Sequence, residues 1–241
     1  MSRQPVIHGY RDLTVHLRHA ILEGQYPPGD RLPGEKEFAT RFHLNRHTVR
    51  AAFAELEQEG LIYRVQGKGT FVAIQKIPYA ISPGTSFSTT LEKLGLQGTP
   101  DLLSMEKISA PSEIARYLAI QPNESIWQLE ILRCIESFPV CLTTSWLPAS
   151  RFPELDTRFD PFRSLYRVLR EDEGVSDIRR SWSRIEARLP NPWERDLLSS
   201  PPHLPLLVTR SMAKDAREIP VELSLSRARS DAYTLEVNFP S

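Results

Sequence analysis

The residues with the clearest chemistry lie in NRHTVRAAFAEL, positions 45–56. On a helix, at about 100° per residue, Arg46, His47 and Arg50 fall within one arc of about 100°. Val49, Ala52, Phe53 and Leu56 fall on a separate arc of similar width. A guanidinium can read guanine O6 and N7 bidentately or grip a phosphate. A helix N-terminus adds unsatisfied N–H groups and partial positive charge. Asn45 is a suitable cap, which leaves Arg46, His47 and Thr48 in the first turn. A second cationic feature follows, in which Arg64 and Lys68 flank Gly67 and Gly69, where glycine lets backbone approach a partner. The implied chemistry is recognition of duplex DNA, since the major groove is wide enough to accept one helix.

The elements that must hold these residues can be read on both sides of them. Leu13, Leu17, Ala20 and Ile21 recur at spacings of three and four, predicting an amphipathic helix over Tyr10–Glu23. EGQYPPGDRLP breaks it, because its prolines cannot donate to a helix and its glycines favour turns. A short helix over Glu35–Arg41 and a turn at His43–Leu44 lead into the Asn45 helix, which ends at Glu59-Gly60. LIYRVQGKGTFVAI then reads as strands Leu61–Val65 and Thr70–Ile74 joined by Gln66-Gly67-Lys68-Gly69. Three helices and a hairpin make a winged helix-turn-helix.

IPYAISPGTS, rich in proline and glycine, reads as a linker at 76–84. Beyond it, SIWQLEILRCI, FPVCLTTSWLP, DIRRSWSRIEARLP, PLLVTRSMAK and EIPVELSLSRARSDAYTLEV alternate like strands. Helices are expected over Phe87–Leu94, Ser112–Leu118, Phe162–Glu171 and Pro192–Leu198. The predicted fold class is α+β, with the winged helix-turn-helix over 1–75 and an antiparallel-sheet domain over 85–241.

Charge alone predicts no polyanionic partner, because 30 Lys/Arg balance 30 Asp/Glu. The balance is uneven, however: residues 1–76 hold eleven Lys/Arg against eight acids, a mild bias of the sign that suits nucleic acid. Cys134 and Cys141 are the only cysteines, and two reduced thiols in a cytosolic protein is the expectation. The histidines lack metal-ligand spacing, so no metal and no cofactor is expected. The N-terminal residues carry no long apolar run, which points to a soluble, cytoplasmic protein without a membrane span. No nucleophile–base set and no phosphate-cradling loop before a helix is found, which argues against an enzyme.

Residues 24–72 resemble the DNA-binding domain of the GntR family of bacterial regulators. The resemblance is carried by Gly29-Asp30-Arg31-Leu32-Pro33, Glu35, Arg46, Thr48-Val49-Arg50, Leu56, Glu59-Gly60-Leu61-Ile62 and Gly67-Lys68-Gly69-Thr70-Phe71-Val72. It implies DNA contacts at Lys36, Arg46, His47, Thr48, Arg50, Gln66 and Gly67, with Lys68 added by the charge of the wing. Two residues depart from the family pattern: Gly34 stands where a capping Ser is usual, and Lys36 where Arg is common. The C-terminal half is similar to the UTRA ligand-binding domain of the HutC-type branch, whose fold is chorismate lyase-like. The stretches carrying this are SFSTTLEKLG, LRCIESFPVCL, RRSWSRIEAR and PLLVTRSMAKDAREIPVELSLSRARSDAYTLEV, and within the branch the regulators of phosphonate metabolism are the most similar.

That resemblance implies a small anionic effector held by an arginine and hydroxyls, since a buried anion needs a cation and donors to offset lost hydration. The matching positions are Ser88 and Thr89, Arg133, Thr143, Ser183 and Arg184, Glu222, Ser224 and Tyr233. Ile131 and Thr143 replace an arginine and a glutamate of the branch pattern, which weakens any transfer of sugar-phosphate specificity. The expected function is a homodimeric, effector-responsive repressor of phosphonate uptake and degradation genes. A HutC-type repressor of another catabolic operon (histidine/urocanate or amino-sugar phosphate) and an effector-free DNA-binding dimer are the alternatives.

Overall fold

Three helices open the chain in the computed structural model of this protein: α1 (Tyr10–Leu22), α2 (Glu35–Arg41) and α3 (Arg46–Gln58). The structure describes residues 7–238 apart from 66, 68, 74, 75, 85, 86, 97, 136 and 137, and apart from the side chain of Ser88. The chain divides into two compact units, Met1–Gln75 and Lys76–Ser241.

In the first unit the helix limits follow from local chemistry. The Asn45 side chain accepts from the Thr48 amide at 2.8 Å and from the Thr48 hydroxyl at 3.0 Å, which supplies a partner for an otherwise orphaned N–H at the start of α3. Gly60 ends the helix at φ 71°, the left-handed position that glycine adopts most readily. Gly34 caps α2 with no side-chain hydrogen bond. The apolar arc of α3 is buried: Val49, Ala52, Phe53 and Leu56 pack with Leu13 and Leu17 of α1 and Phe38 of α2. Phe38 meets Phe53 edge-on at 5.6 Å, a favoured aromatic geometry. Strands β1 (Ile62–Val65) and β2 (Gly69–Val72) pair antiparallel and close this core through Ile62 and Val72. Gly69 has φ 123°, a backbone conformation strained for any residue with a Cβ, and a Cβ there would lie 2.6 Å from Arg31 Nε, so the Arg31 side chain would have to shift.

The second unit is a six-stranded antiparallel sheet with helices on both faces. Its elements are β3 (Ile77–Ala80), α4 (Phe87–Lys93), β4 (Gly98–Ser109), α5 (Ser112–Leu118), β5 (Ser125–Ile135), β6 (Phe138–Pro148), α6 (Leu155–Arg158), α7 (Leu165–Glu171), β7 (Arg179–Arg188), α8 (Pro192–Leu197), β8 (Leu206–Lys214), β9 (Pro220–Arg229) and β10 (Tyr233–Glu236). The sheet order is β4-β5-β6-β9-β8-β7, and β10 pairs parallel with β3 outside it. On one face, Trp127, Leu129 and Leu147 pack under Phe152, Leu155 and Leu169 of the 149–178 segment. On the other, Ile126, Met212 and Leu223 pack against Ile114, Ala115 and Leu118 of α5. Successive side chains of a strand point to opposite faces, and that is why the two clusters share strands but not residues.

Four features differ from the sequence reading. Strand β4 was not expected, because as an edge strand it is mostly exposed or half-buried and lacks alternation. Ile77–Ala80, expected within a linker, is a strand, and its Pro78 is tolerated because a two-stranded ribbon leaves one side of each strand unpaired. The last expected strand is interrupted by a turn at 230–232, so β10 leaves the main sheet. Helix α7 starts at Leu165 rather than Phe162, whose side chain is exposed. Both cysteines are free. Among the described residues no helix is long and apolar enough to cross a membrane.

Candidate functional site

In the first unit, Arg46 and His47 are exposed in the opening turn of α3, with Arg50 one turn further on. Thr48 is half-buried and its hydroxyl is committed to Asn45. Lys36 is exposed in the first turn of α2. Arg50 is exposed but not unattached: its Nε and Nη2 donate to the two carboxylate oxygens of Glu35 at 3.3 and 3.1 Å. Arg64 of β1 also approaches Glu35, at 3.9 Å, and lies 3.4 Å from Glu57. Its guanidinium sits 6.0 Å over the ring of Phe53, so it is held against the core edge rather than projecting with the turn. Gly67 occupies the turn at φ 77°. Gln66 and Lys68 lie outside the described residues. The structure thus places Arg46, His47 and Arg50 on a solvent-exposed arc of α3, separate from its buried arc.

The second unit contains a concave site of another kind. A cavity of about 90 Å3 lies between the sheet, α4, α7 and the β3–β10 pair. A water needs about 10–15 Å3 on this measure, so the space suits a small metabolite. Register organises its floor. Thr143, Ser226 and Thr209 lie side by side across β6, β9 and β8, and Ser145, Ser224 and Ser211 form the next row. At one end of these two hydroxyl rows is Arg133, its guanidinium 5.2 Å over the ring of Phe87. At the other end Glu222 is opposite Ala213, which is opposite Arg180. Glu222 is buried and accepts from Ser145 Oγ at 2.5 Å. Arg180 Nη2 donates to the Tyr79 hydroxyl at 3.0 Å.

The electrostatics favour an anion. Arg133 and Arg180 outnumber Glu222 among the charged lining residues, and Arg133 makes no ion pair with any described residue. Burial pushes the Tyr166 and Tyr233 phenols well above their usual range, with the Glu222 charge adding to the effect at Tyr166. Both therefore remain neutral O–H donors. Burial likewise pushes the Cys141 thiol up, which leaves it a small apolar wall residue rather than a thiolate.

Of the residues expected to hold an effector, Arg133, Thr143, Glu222, Ser224 and Tyr233 line this cavity. Three do not. Arg184 faces the opposite side of the sheet, where its Nη1 donates to the Tyr117 hydroxyl of α5 at 3.4 Å and it stacks 5.1 Å over Trp182. Ser183 faces the cavity side but is one layer back, hydrogen-bonded to the lining Ser211 at 2.8 Å. Thr89 is half-buried on α4, about 200° round the helix from the lining residue Phe87. The side chain of Ser88 lies outside the described residues. Sequence reasoning missed Arg180, Tyr79, Tyr166, Ser145 and Ser211, all of which line the site. The register shift between Arg180 and Trp182 explains the first: strict alternation would pair Arg180 with Arg184, whereas one extra residue turns Arg180 onto the face of Ser183. Tyr79 was missed because its segment read as linker. Ser145 and Ser211 carried a signal, since each is an even number of residues along its strand from Thr143 or Thr209.

Comparison with known proteins agrees with both halves. Residues 10–72 match the family described as bacterial regulatory proteins, gntR family, and residues 93–234 match the UTRA domain. The Escherichia coli K12 protein described as "Probable transcriptional regulator PhnF" is 32% identical over 231 residues, 94% of this chain and 94% of its own. The mannosyl-D-glycerate transport/metabolism system repressor MngR of the same organism is 29% identical over 97% of this chain and 95% of its own. Among solved structures, PhnF from Mycobacterium smegmatis matches with a TM-score of 0.67 at 28% identity, over 95% of this chain and 99% of that one.

Proposed function

Because this chain belongs to the GntR family of bacterial transcriptional regulators and carries a UTRA domain, we propose that it represses phosphonate uptake and degradation genes and is released from DNA by a small anionic metabolite. In this reading residues 1–75 are the DNA-binding domain. Residues 76–84 lead into an effector-binding and dimerisation domain over 85–241, to which β3 is already paired. The protein acts in the cytoplasm as a homodimer, and two copies of α3 meet operator half-sites about one helical turn or a multiple apart. Arg46, His47 and Arg50 face the groove, and Lys36, Thr48, Gln66, Gly67 and Lys68 contact the backbone or adjacent bases. Similarity to two proteins named PhnF supports the phosphonate assignment.

One observation carries the effector half of the proposal: Arg133 stands in the cavity wall with an aromatic ring beneath it and no ion pair to a carboxylate among the described residues. An arginine so placed is suited to a phosphonate or phosphate oxygen pair. Arg180, Ser145 and Ser211 join Arg133, Thr143, Glu222, Ser224 and Tyr233 as the contacting set. The test is thermal stabilisation by a panel of alkylphosphonates, phosphate monoesters, urocanate and amino-sugar phosphates. A ligand at 100 times its dissociation constant adds about 2.7 kcal/mol. A phosphonate that stabilises the wild type and not Arg133→Ala supports the reading. Equal stabilisation of both proteins, or a response to urocanate alone, contradicts it.

A further inference from the structure

We propose that Glu35 is a specificity-determining residue: it holds the Arg50 guanidinium in the attitude that reads a base edge, and it disfavours the attitudes that merely grip phosphate. This rests on the assignment of Arg50 to the DNA face. The observation behind it is the shape of the contact. Glu35 takes the Nε and Nη2 protons of Arg50, one on each carboxylate oxygen. A guanidinium has five N–H donors in a planar fork, so this side-on grip leaves the Nη1–Nη2 edge open. That edge can reach guanine O6 and N7 as a bidentate pair. The acid is also the steadier partner, since the Glu35 side chain is 19% exposed and that of Arg50 55%. Arg64 approaches the same carboxylate from β1 at 3.9 Å and lies between Glu57, at 3.4 Å, and the Phe53 ring. Glu35 thus has a second guanidinium near it, and Arg50 is presented from the more buried member of the pair.

An exposed ion pair contributes little to stability, so the arrangement is poorly explained as a fold-stabilising device. Its consequence is for binding. An arginine with a fixed plane loses less freedom on meeting a base pair. Arg46 and Lys36, exposed and without such a partner among the described residues, keep the freedom to follow the backbone.

The probe is a duplex enriched from a random-sequence pool by the full-length wild-type protein, with poly(dI-dC) as the non-specific reference. Glu35→Gln is expected to bind poly(dI-dC) several-fold more tightly and the selected duplex no better, so that the specificity ratio falls about tenfold. Glu35→Asp keeps the charge but withdraws the carboxylate by one methylene, and its ratio is expected to fall as well. In an Arg50→Ala background, Glu35→Gln should leave the ratio unchanged, because the acid acts through that arginine. Equal tightening on both DNAs in Glu35→Gln, or a wild-type ratio in Glu35→Asp, reduces Glu35 to a repelling charge and overturns the proposal. If Arg50→Ala alone weakens the selected complex while neither Glu35 variant changes the ratio, the DNA face stands and the role of Glu35 falls. If Arg50→Ala changes nothing, the DNA face itself is misassigned.

Discussion

The two candidate sites use arginine in opposite ways. On α3, Arg46 and Arg50 stand in solvent on a helix whose apolar arc is buried, and the contact that brings in a second helix is the one between Arg50 and Glu35 of α2. In the cavity, Arg133 and Arg180 come from strands at different places in the sheet, and their surroundings are contributed by β3, α4, β6, β8 and β9. The contrast is one of sequence distance: the first site is assembled by one helix, its cap and a carboxylate fifteen residues away, the second by register across many strands. A site of the first kind should tolerate damage elsewhere in the chain and fail with its own scaffold. The second should be sensitive to single-residue slips in strand pairing.

The largest expected effect tests the scaffold of the exposed site. Phe53→Ala removes a fully buried ring beneath α3 and should cost about 3–5 kcal/mol, read as an early unfolding transition in urea. If its effector-induced thermal shift is lost along with DNA binding, the contrast breaks, because the cavity would then depend on the helix core. Next, Arg180→Met keeps bulk but removes a lining charge, and should abolish the shift of about 2.7 kcal/mol that a saturating anion produces with DNA affinity unchanged. Loss of DNA affinity would mean that this half-buried arginine serves the fold rather than the ligand. Asn45→Ala should cost about 1 kcal/mol, seen in the same denaturation experiment. Gly34→Ser is the finest probe: α2 lacks a side-chain cap, so a hydroxyl there should add a few tenths of a kcal/mol. A loss of stability instead would mean that the hydroxyl does not reach the first-turn amides of α2.

The same distinction explains what could be read from the amino-acid order alone. Asn45, Gly60 and the Val49–Leu56 arc act on their own helix, so caps and periodicity locate them, and the exposed face follows by subtraction. The cavity needs information that no local pattern carries. Whether Arg180 or Arg184 faces inward depends on one bulge, and Tyr79 belongs to the wall only because β3 pairs with a strand more than 150 residues away. Strand β4 escaped notice for a related reason, since an edge strand need not alternate. Glu35 was visible as part of a family motif, but its contact with Arg50 spans two helices and had to be seen in three dimensions.

The central claim is that the cations at the start of α3 enter a DNA groove. It is tested most directly by titrating the selected duplex with wild type, Arg46→Ala and Arg50→Ala over a range of salt concentrations. Each substitution should weaken binding by about 1–3 kcal/mol if the side chain reads a base, and a lost phosphate contact should flatten the slope of log K against log salt by about 0.9. Affinities and slopes indistinguishable from wild type in both variants would contradict it.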